Sequence, residues 1–309
     1  MALTQKQLDE RLDYIGASEC AAALGLSPWK SQLQLWAEKS RQIPVEQVDT
    51  LQTWFGTEAE EIVAKRFCLE TGKSVHRVNE TLYHPKHSFL ACHLDRKVEG
   101  ERAILQCKTA SAWSDEAWEG EEIPAPYILQ EVQELAVSGY DRAYIACLIG
   151  NHRFAIKTIE RDLSLEAEVI GKLVHFWQEF VIQKVMPHVS KSDADTLYKL
   201  FPVGEEEPEM ELTDEANKLC ESIAGLVADS KGIDAQIETS RNELRAMLKG
   251  SAIGKTDTYR VTWKNQITNR IETDRLKNDA PEVYAKYLKP SEGRVLRIGK
   301  IKVKKQEIK

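Results

Sequence analysis

The stretch LACHLDRKVEGERAILQCKTA, Leu90 to Ala110, decides how the rest of this chain is read. It reads as two short strands joined by a turn at Glu99-Gly100-Glu101. The first strand carries Asp95, and the second carries the run Gln106-Cys107-Lys108. Alternate side chains of a strand share a face, so Gln106 and Lys108 point the same way. In a suitable register Asp95 lies beside them. An ordinary solvated strand face accounts for such residues, and so does an oxygen-rich metal site.

The bulk of the chain bounds the choice. Its 309 residues, 42% of them hydrophobic, are enough for one large core and an appendage. No apolar run approaches the length of a membrane span, and the polar, acidic start MALTQKQLDERLDYIG lacks the apolar region of a secretory signal. Cys20, Cys68, Cys92, Cys107, Cys147 and Cys220 lie in apolar runs without C-x-x-C spacing. They read as free thiols in a reducing compartment, so a cytoplasmic protein is expected. The net charge of −7 does not advertise a polyanion partner, but its distribution is uneven. From Arg241 to Lys309 there are 18 Lys and Arg against 8 Asp and Glu, whereas the first 240 residues carry a balance of −17. A basic arm that touches nucleic acid and a solvated lysine-rich tail both fit this asymmetry.

The order of elements predicts an α/β protein, a mixed sheet flanked by helices. SECAAALGLSPW reads as a helix after Ser18 ending near Gly25, and TEAEEIVAKRFCLETG as a helix after Gly56 that stops at Gly72. Ile62, Val63, Phe67 and Leu69 make its apolar stripe. PAPYILQEVQELAVSG has the proline start and glycine stop of another helix. RAYIACLIGN and RFAIKTIE read as a strand pair, and LEAEVIGKLVHFWQEFVIQKVMP as a long closing helix. PVGEEEPEME marks a boundary, giving a body over 1–204 and an extension over 205–309. In the extension a helical hairpin is expected, followed by short strands at YRVTWKN and RVLRIGKIKVKK.

A carboxylate and an amide oxygen are hard ligands suited to Mg²⁺, which keeps several waters of its own. A neighbouring ammonium can orient one of those waters and offset charge in phosphodiester hydrolysis. Taken alone, the D-x10-Q-x-K spacing is weak and favours the surface reading, because charged strand faces are common. The company it keeps is more specific. RLDYIGASEC, GTEAEEIVAKRFCLETG, ACHLDRKV, LQCKTA and YILQEVQELAVSG occur in that order over roughly residues 11–150. Together they resemble the motifs of the YqaJ-type viral recombinase, or lambda-exonuclease-like, branch of the PD-(D/E)XK nucleases.

That resemblance implies a restriction-endonuclease-like core and a Mg²⁺-dependent exonuclease, with Mn²⁺ able to substitute. It implies degradation of one strand of linear duplex DNA, from the 5′ end, in single-strand-annealing recombination in a bacterial host. Double-stranded DNA ends, an annealing protein and a ring-shaped homo-oligomer are the implied partners. On this reading Asp95, Gln106, Glu60 and the backbone carbonyl of Cys107 hold the metal, and Lys108 positions the attacking water. Arg11 and Ser18 take the 5′-phosphate, the serine also reading as a helix N-cap. Tyr127 and Gln130 support the site. The family carries Glu or Asp where this chain has Gln106. An amide oxygen can coordinate but brings no formal charge, so weaker metal binding is expected, with Asp95 and Glu60 carrying more of it. An endonuclease of the same fold and an end-binding protein with a decayed site are the alternatives. His93 alternates with Asp95 onto one face but answers to no motif. Trp29, Trp54, Trp113 and Trp118 offer stacking surfaces that more often serve as core or rim aromatics.

Overall fold

In the computed structural model, which describes residues 9–45, 50–114, 116–202, 210–290 and 295–301, the chain divides into two units, Met1–Pro202 and Val203–Lys309. The segment read as the boundary lies largely outside the described residues. The first unit opens with β1 (Ile15–Gly16), a 3₁₀ turn (Ala17–Glu19), α1 (Cys20–Ala23) and α2 (Gln32–Lys39). Next come α3 (Leu51–Thr71), β2 (Val75–Arg77), β3 (Leu82–Tyr83), β4 (Leu90–Cys92), β5 (Arg96–Val98) and β6 (Ala103–Ala110). It closes with α4 (Ala125–Ser138), β7 (Arg142–Ile149), β8 (Arg153–Glu160), α5 (Leu163–His175) and α6 (Ala194–Leu200). A π-helical stretch, Phe176–Ile182, prolongs α5.

The sheet has five strands in the order β2-β5-β6-β7-β8. Only the β6–β7 pair is parallel, which leaves α4 as the crossover between them. A smaller sheet, β1-β4-β3, stands beside it. The quoted stretch therefore differs from a plain hairpin. Gly100 turns the chain as expected, at φ +74°. The first strand, however, breaks at residues 93–95, so that β4 joins the small sheet and β5 the large one. Asp95 sits at that break, immediately before β5.

Strand alternation sorts β6 between two layers. Ala103, Leu105 and Cys107 cluster with Val63, Ala64 and Phe67 of α3, while Ile104 clusters with Leu135 of α4. Phe67 is fully buried, and its truncation to alanine would cost about 3–5 kcal/mol. α3 begins five residues before Gly56, at Leu51, and its buried stripe is Ala59, Val63, Ala64 and Phe67. Ile62 and Leu69, read as core, are exposed. Gly72 and Gly139 end their helices in the left-handed conformation. The six cysteines are free thiols. Among the described residues no helix is long and apolar enough to cross a membrane.

In the second unit the expected helical hairpin is one helix, α7 (Asp214–Leu248). Gly225 and Gly232 each cost only about 1 kcal/mol there, too little to break a helix without proline. β9 (Ile253–Lys255) and β10 (Arg260–Thr262) form an antiparallel pair, followed by α8 (Thr273–Asp279) and α9 (Pro281–Tyr287). The strand expected at YRVTWKN is present as β10. The one expected at RVLRIGKIKVKK is not formed in the described residues 295–301, and the rest of that segment lies outside them.

Candidate active site

The site grows from β6. Its even-numbered residues face α4, which places Gln106 and Lys108 between the sheet and that helix. Asp95 reaches them from the strand break: its Oδ2 accepts a hydrogen bond from the Cys107 backbone N–H at 2.8 Å. Lys108 Nζ donates to Gln130 Oε1 at 2.9 Å and lies 5.2 Å from the centre of the Tyr127 ring. Asp95, Gln106, Lys108, Tyr127 and Gln130 are thus brought into one neighbourhood. The Cys107 side chain packs on the α3 side, as its alternation requires.

Burial pushes the Asp95 carboxyl up to about 6, and Glu60 adds to the rise, against the Cys107 N–H and Lys108, which oppose it. Gln106 is 6% exposed, and its Oε1 has no hydrogen-bond partner. An orphaned buried amide oxygen beside a carboxylate fits a hard divalent cation. Asp95, Gln106 and the Cys107 carbonyl are the groups that would hold it. Among the described residues no three His, Cys, Asp or Glu side chains already form a metal-binding group.

Glu60 lies close enough to act on Asp95, but its carboxylate is engaged. Its Oε2 is 3.3 Å from Arg77 Nη2 and 3.9 Å from Arg96 Nη1. Arg96 is buried and also meets Glu61 at 3.1 Å. The extra acidic position therefore arrives with its own counter-charges.

Arg11 and Ser18, expected to take the 5′-phosphate, are set differently from the N-cap first read. Ser18 lies inside the 3₁₀ turn, exposed, and caps nothing; the cap is Gly16, whose N–H donates to Glu19 Oε2 at 2.9 Å. Glu19 is itself paired at 2.6 Å with buried Lys39, which also donates to the carbonyls of Arg11 and Tyr14. The Arg11 charge helps hold Glu19 below the usual carboxylate range, after Lys39, against the upward push of burial. It also joins burial in lowering His93. His93 has left the strand, and its Nε2 pairs with Thr81 Oγ1 at 2.8 Å.

Two residues escaped the sequence reading. Glu131 and Glu134 of α4 are 0% and 1% exposed and face the same interior. Glu134 Oε1 accepts from Gln130 Nε2 at 2.8 Å, and both oxygens of Glu131 lack partners. Burial raises both carboxyls well above the ordinary range, Glu134 to about 8, and Asp95 nearby pushes the same way. Carboxylates on an amphipathic helix read as solvated; only the covering of both faces of α4 marks them. Of the tryptophans, Trp118 is buried and Trp113 fully exposed. Trp29 is exposed, and its ring lies 5.9 Å from that of Tyr127, whose other neighbour is Trp118 at 5.6 Å.

Residues 7–141 match the model of the YqaJ-like viral recombinase domain. The uncharacterized protein YqaJ of Bacillus subtilis is 35% identical over 286 residues, covering 91% of this chain and 90% of that protein. The crystal structure of an alkaline exonuclease from Laribacter hongkongensis covers 58% of this chain and 94% of its own, at 22% identity and a TM-score of 0.51. A second structure, of the Laribacter protein in complex with dAMP, aligns at 23% identity with the same TM-score and coverage. The likeness is one of fold, over 58% of this chain.

Proposed function

The chain belongs to the YqaJ-like viral recombinase family and has the PD-(D/E)XK nuclease fold, and from that premise we propose that it is a Mg²⁺-dependent exonuclease acting on linear duplex DNA. The observation that carries the reading is the grouping of Asp95, orphaned Gln106 Oε1 and Lys108 along β6. Asp95, Gln106 and the Cys107 carbonyl would hold the cation. When bound, Mg²⁺ supplies an activated water and neutralises phosphate oxygens.

Around it the chain's own groups have separate tasks. Lys108, held by Gln130 and laid against Tyr127, orients the water for in-line attack and stabilises charge on the phosphoryl oxygens. The water oxygen bonds to phosphorus, the bond to the 3′ oxygen breaks, and that oxygen takes up a proton. Arg11 and Ser18 receive the 5′-phosphate, which gives the enzyme its strand polarity, 5′ to 3′. Exposed Trp29, its ring 5.9 Å from that of Tyr127, offers the terminal base a platform beside the scissile bond. The alkaline exonuclease activity named for the Laribacter protein supports this reading by analogy of fold. The resemblance of its motifs to the family extends this reading to a homo-oligomeric ring in a bacterial cytoplasm, with a single-strand annealing protein.

Gln106 favours one other reading, an end-binding protein whose site has lost its chemistry. Linear and circular duplexes incubated with Mg²⁺ or EDTA separate the two, since only a nuclease turns over. A cut circle would instead mark an endonuclease.

A further inference from the structure

The proposed mechanism leaves the acidic part of α4 unused. A helical repeat of 3.6 residues puts Tyr127, Gln130, Glu131 and Glu134 on one stripe. Leu135 shares a core cluster with Ile104, and Gln130 bonds Lys108, so α4 descends as β6 ascends. Glu131 and Glu134 therefore come level with Gln106, the strand residue between Ile104 and Lys108. At that level lie three buried oxygens without partners, Gln106 Oε1 and both of Glu131. An unpartnered buried amide oxygen and an unpartnered buried carboxylate are each unfavourable, and a shared cation removes both defects at once. Glu134 has a partner in Gln130, and Glu60 has Arg77 and Arg96. Glu131 alone of the three has none.

We infer that Glu131 supplies from α4 the anionic ligand that Gln106 withholds from β6, so that Asp95, Gln106 and Glu131 hold one divalent cation. Glu134 is then a positioning residue, fixing Gln130 and through it Lys108. The inference rests on the nuclease reading above. It moves the second carboxylate from strand to helix while keeping it beside Asp95, and so accounts for a glutamine at the strand position without loss of chemistry.

The test is Mn²⁺ binding to the full chain without DNA, followed by the paramagnetic resonance of free Mn²⁺, together with digestion of linear duplex. The proteins are wild type, E131Q, Q106E and the double variant Q106E/E131Q. E131Q is expected to bind Mn²⁺ about 10–100-fold more weakly and to lose turnover in step. Q106E/E131Q, with its carboxylate returned to β6, is expected to regain binding to within about tenfold of wild type. Wild-type affinity in E131Q overturns the inference, and so does a double variant no better than E131Q. Should E131Q fail to fold, Q106E decides. A gain under about tenfold is expected where Glu131 already coordinates, and a larger gain overturns it. A wild-type protein that neither binds Mn²⁺ nor cuts DNA overturns the nuclease reading itself. Wild-type binding and cleavage with an unaffected E131Q removes Glu131 only.

Discussion

Lys108 Nζ donates to Gln130 Oε1 at 2.9 Å, and Gln130 Nε2 donates in turn to Glu134 Oε1 at 2.8 Å. The ammonium therefore does not wave from a strand end. It is held by a buried amide whose own orientation is fixed one helical turn further on. Lys108→Met should lower kcat about 10²–10⁴-fold while leaving DNA binding intact. Gln130→Leu frees the ammonium without removing it, and should lower kcat about 10²-fold. Single-turnover digestion alongside a filter-binding assay would separate the two; a Gln130→Leu protein with wild-type kcat would remove the amide from the mechanism.

On the proposed mechanism, Asp95 should set the acid limit of activity. Its carboxyl is pushed up to about 6 by burial, and it must be ionised to hold a cation. Activity at low Mg²⁺ should rise through about pH 6, and higher Mg²⁺ should shift that limb to lower pH, because metal and proton compete for the same oxygens. Initial rates across pH at two Mg²⁺ concentrations would check this. A limb that ignores metal concentration would point to another group.

The buried acids of α4 should make the metal-free protein less stable as pH rises. Folding raises Glu134 from the ordinary value of about 4.3 to about 8, so the folded state binds more protons than the unfolded one between those limits. Its stability is therefore full below about pH 4.3, as far as this group is concerned, and declines toward pH 8. Urea midpoints in EDTA should fall from pH 5 to pH 8, and Glu134→Gln should flatten the decline. A midpoint that rises over this window in wild type would contradict the assignment.

Trp29 is exposed, and its ring lies tilted 5.9 Å from that of Tyr127, which adjoins Lys108. Trp29→Ala should raise KM for DNA ends about tenfold, in line with the ~1–3 kcal/mol of a base–aromatic stack, with kcat little changed. Steady-state kinetics would decide; a selective loss of kcat would mean that the ring props Tyr127 and Lys108 instead.

Most of the first unit could be read from its sequence because its elements carry local signals. Gly72 and Gly139 stop helices where expected, Gly100 turns β5 into β6, and the β7–β8 pair follows its β-forming residues. What failed depended on distant partners. The strand carrying Asp95 reads as continuous, and splits because β4 is claimed by β1 and β3. Ser18 had the residue type of a cap, but Glu19 satisfies the Gly16 N–H instead. That Asp95, Gln106 and Lys108 would come together was legible, because strand alternation and motif order single them out. Glu131 and Glu134 were not, since a polar stripe on a helix looks alike whether it meets water or the face of β6. The 35-residue helix α7 shows the converse: none of its residues is buried, so its apolar residues gave a period without a fold to attach it to.

The most direct test of the account uses linear duplexes labelled on each strand in turn, with and without a 5′-phosphate, beside an unnicked circle. Wild-type protein with Mg²⁺, the same with EDTA, and Asp95→Asn with Mg²⁺ complete the set. A 5′-to-3′ exonuclease should remove the 5′-ended strand alone, faster with the phosphate, not at all in EDTA or as Asp95→Asn, and should spare the circle. Cleavage that persists in Asp95→Asn, or no cleavage by wild type despite tight binding to ends, would contradict this reading.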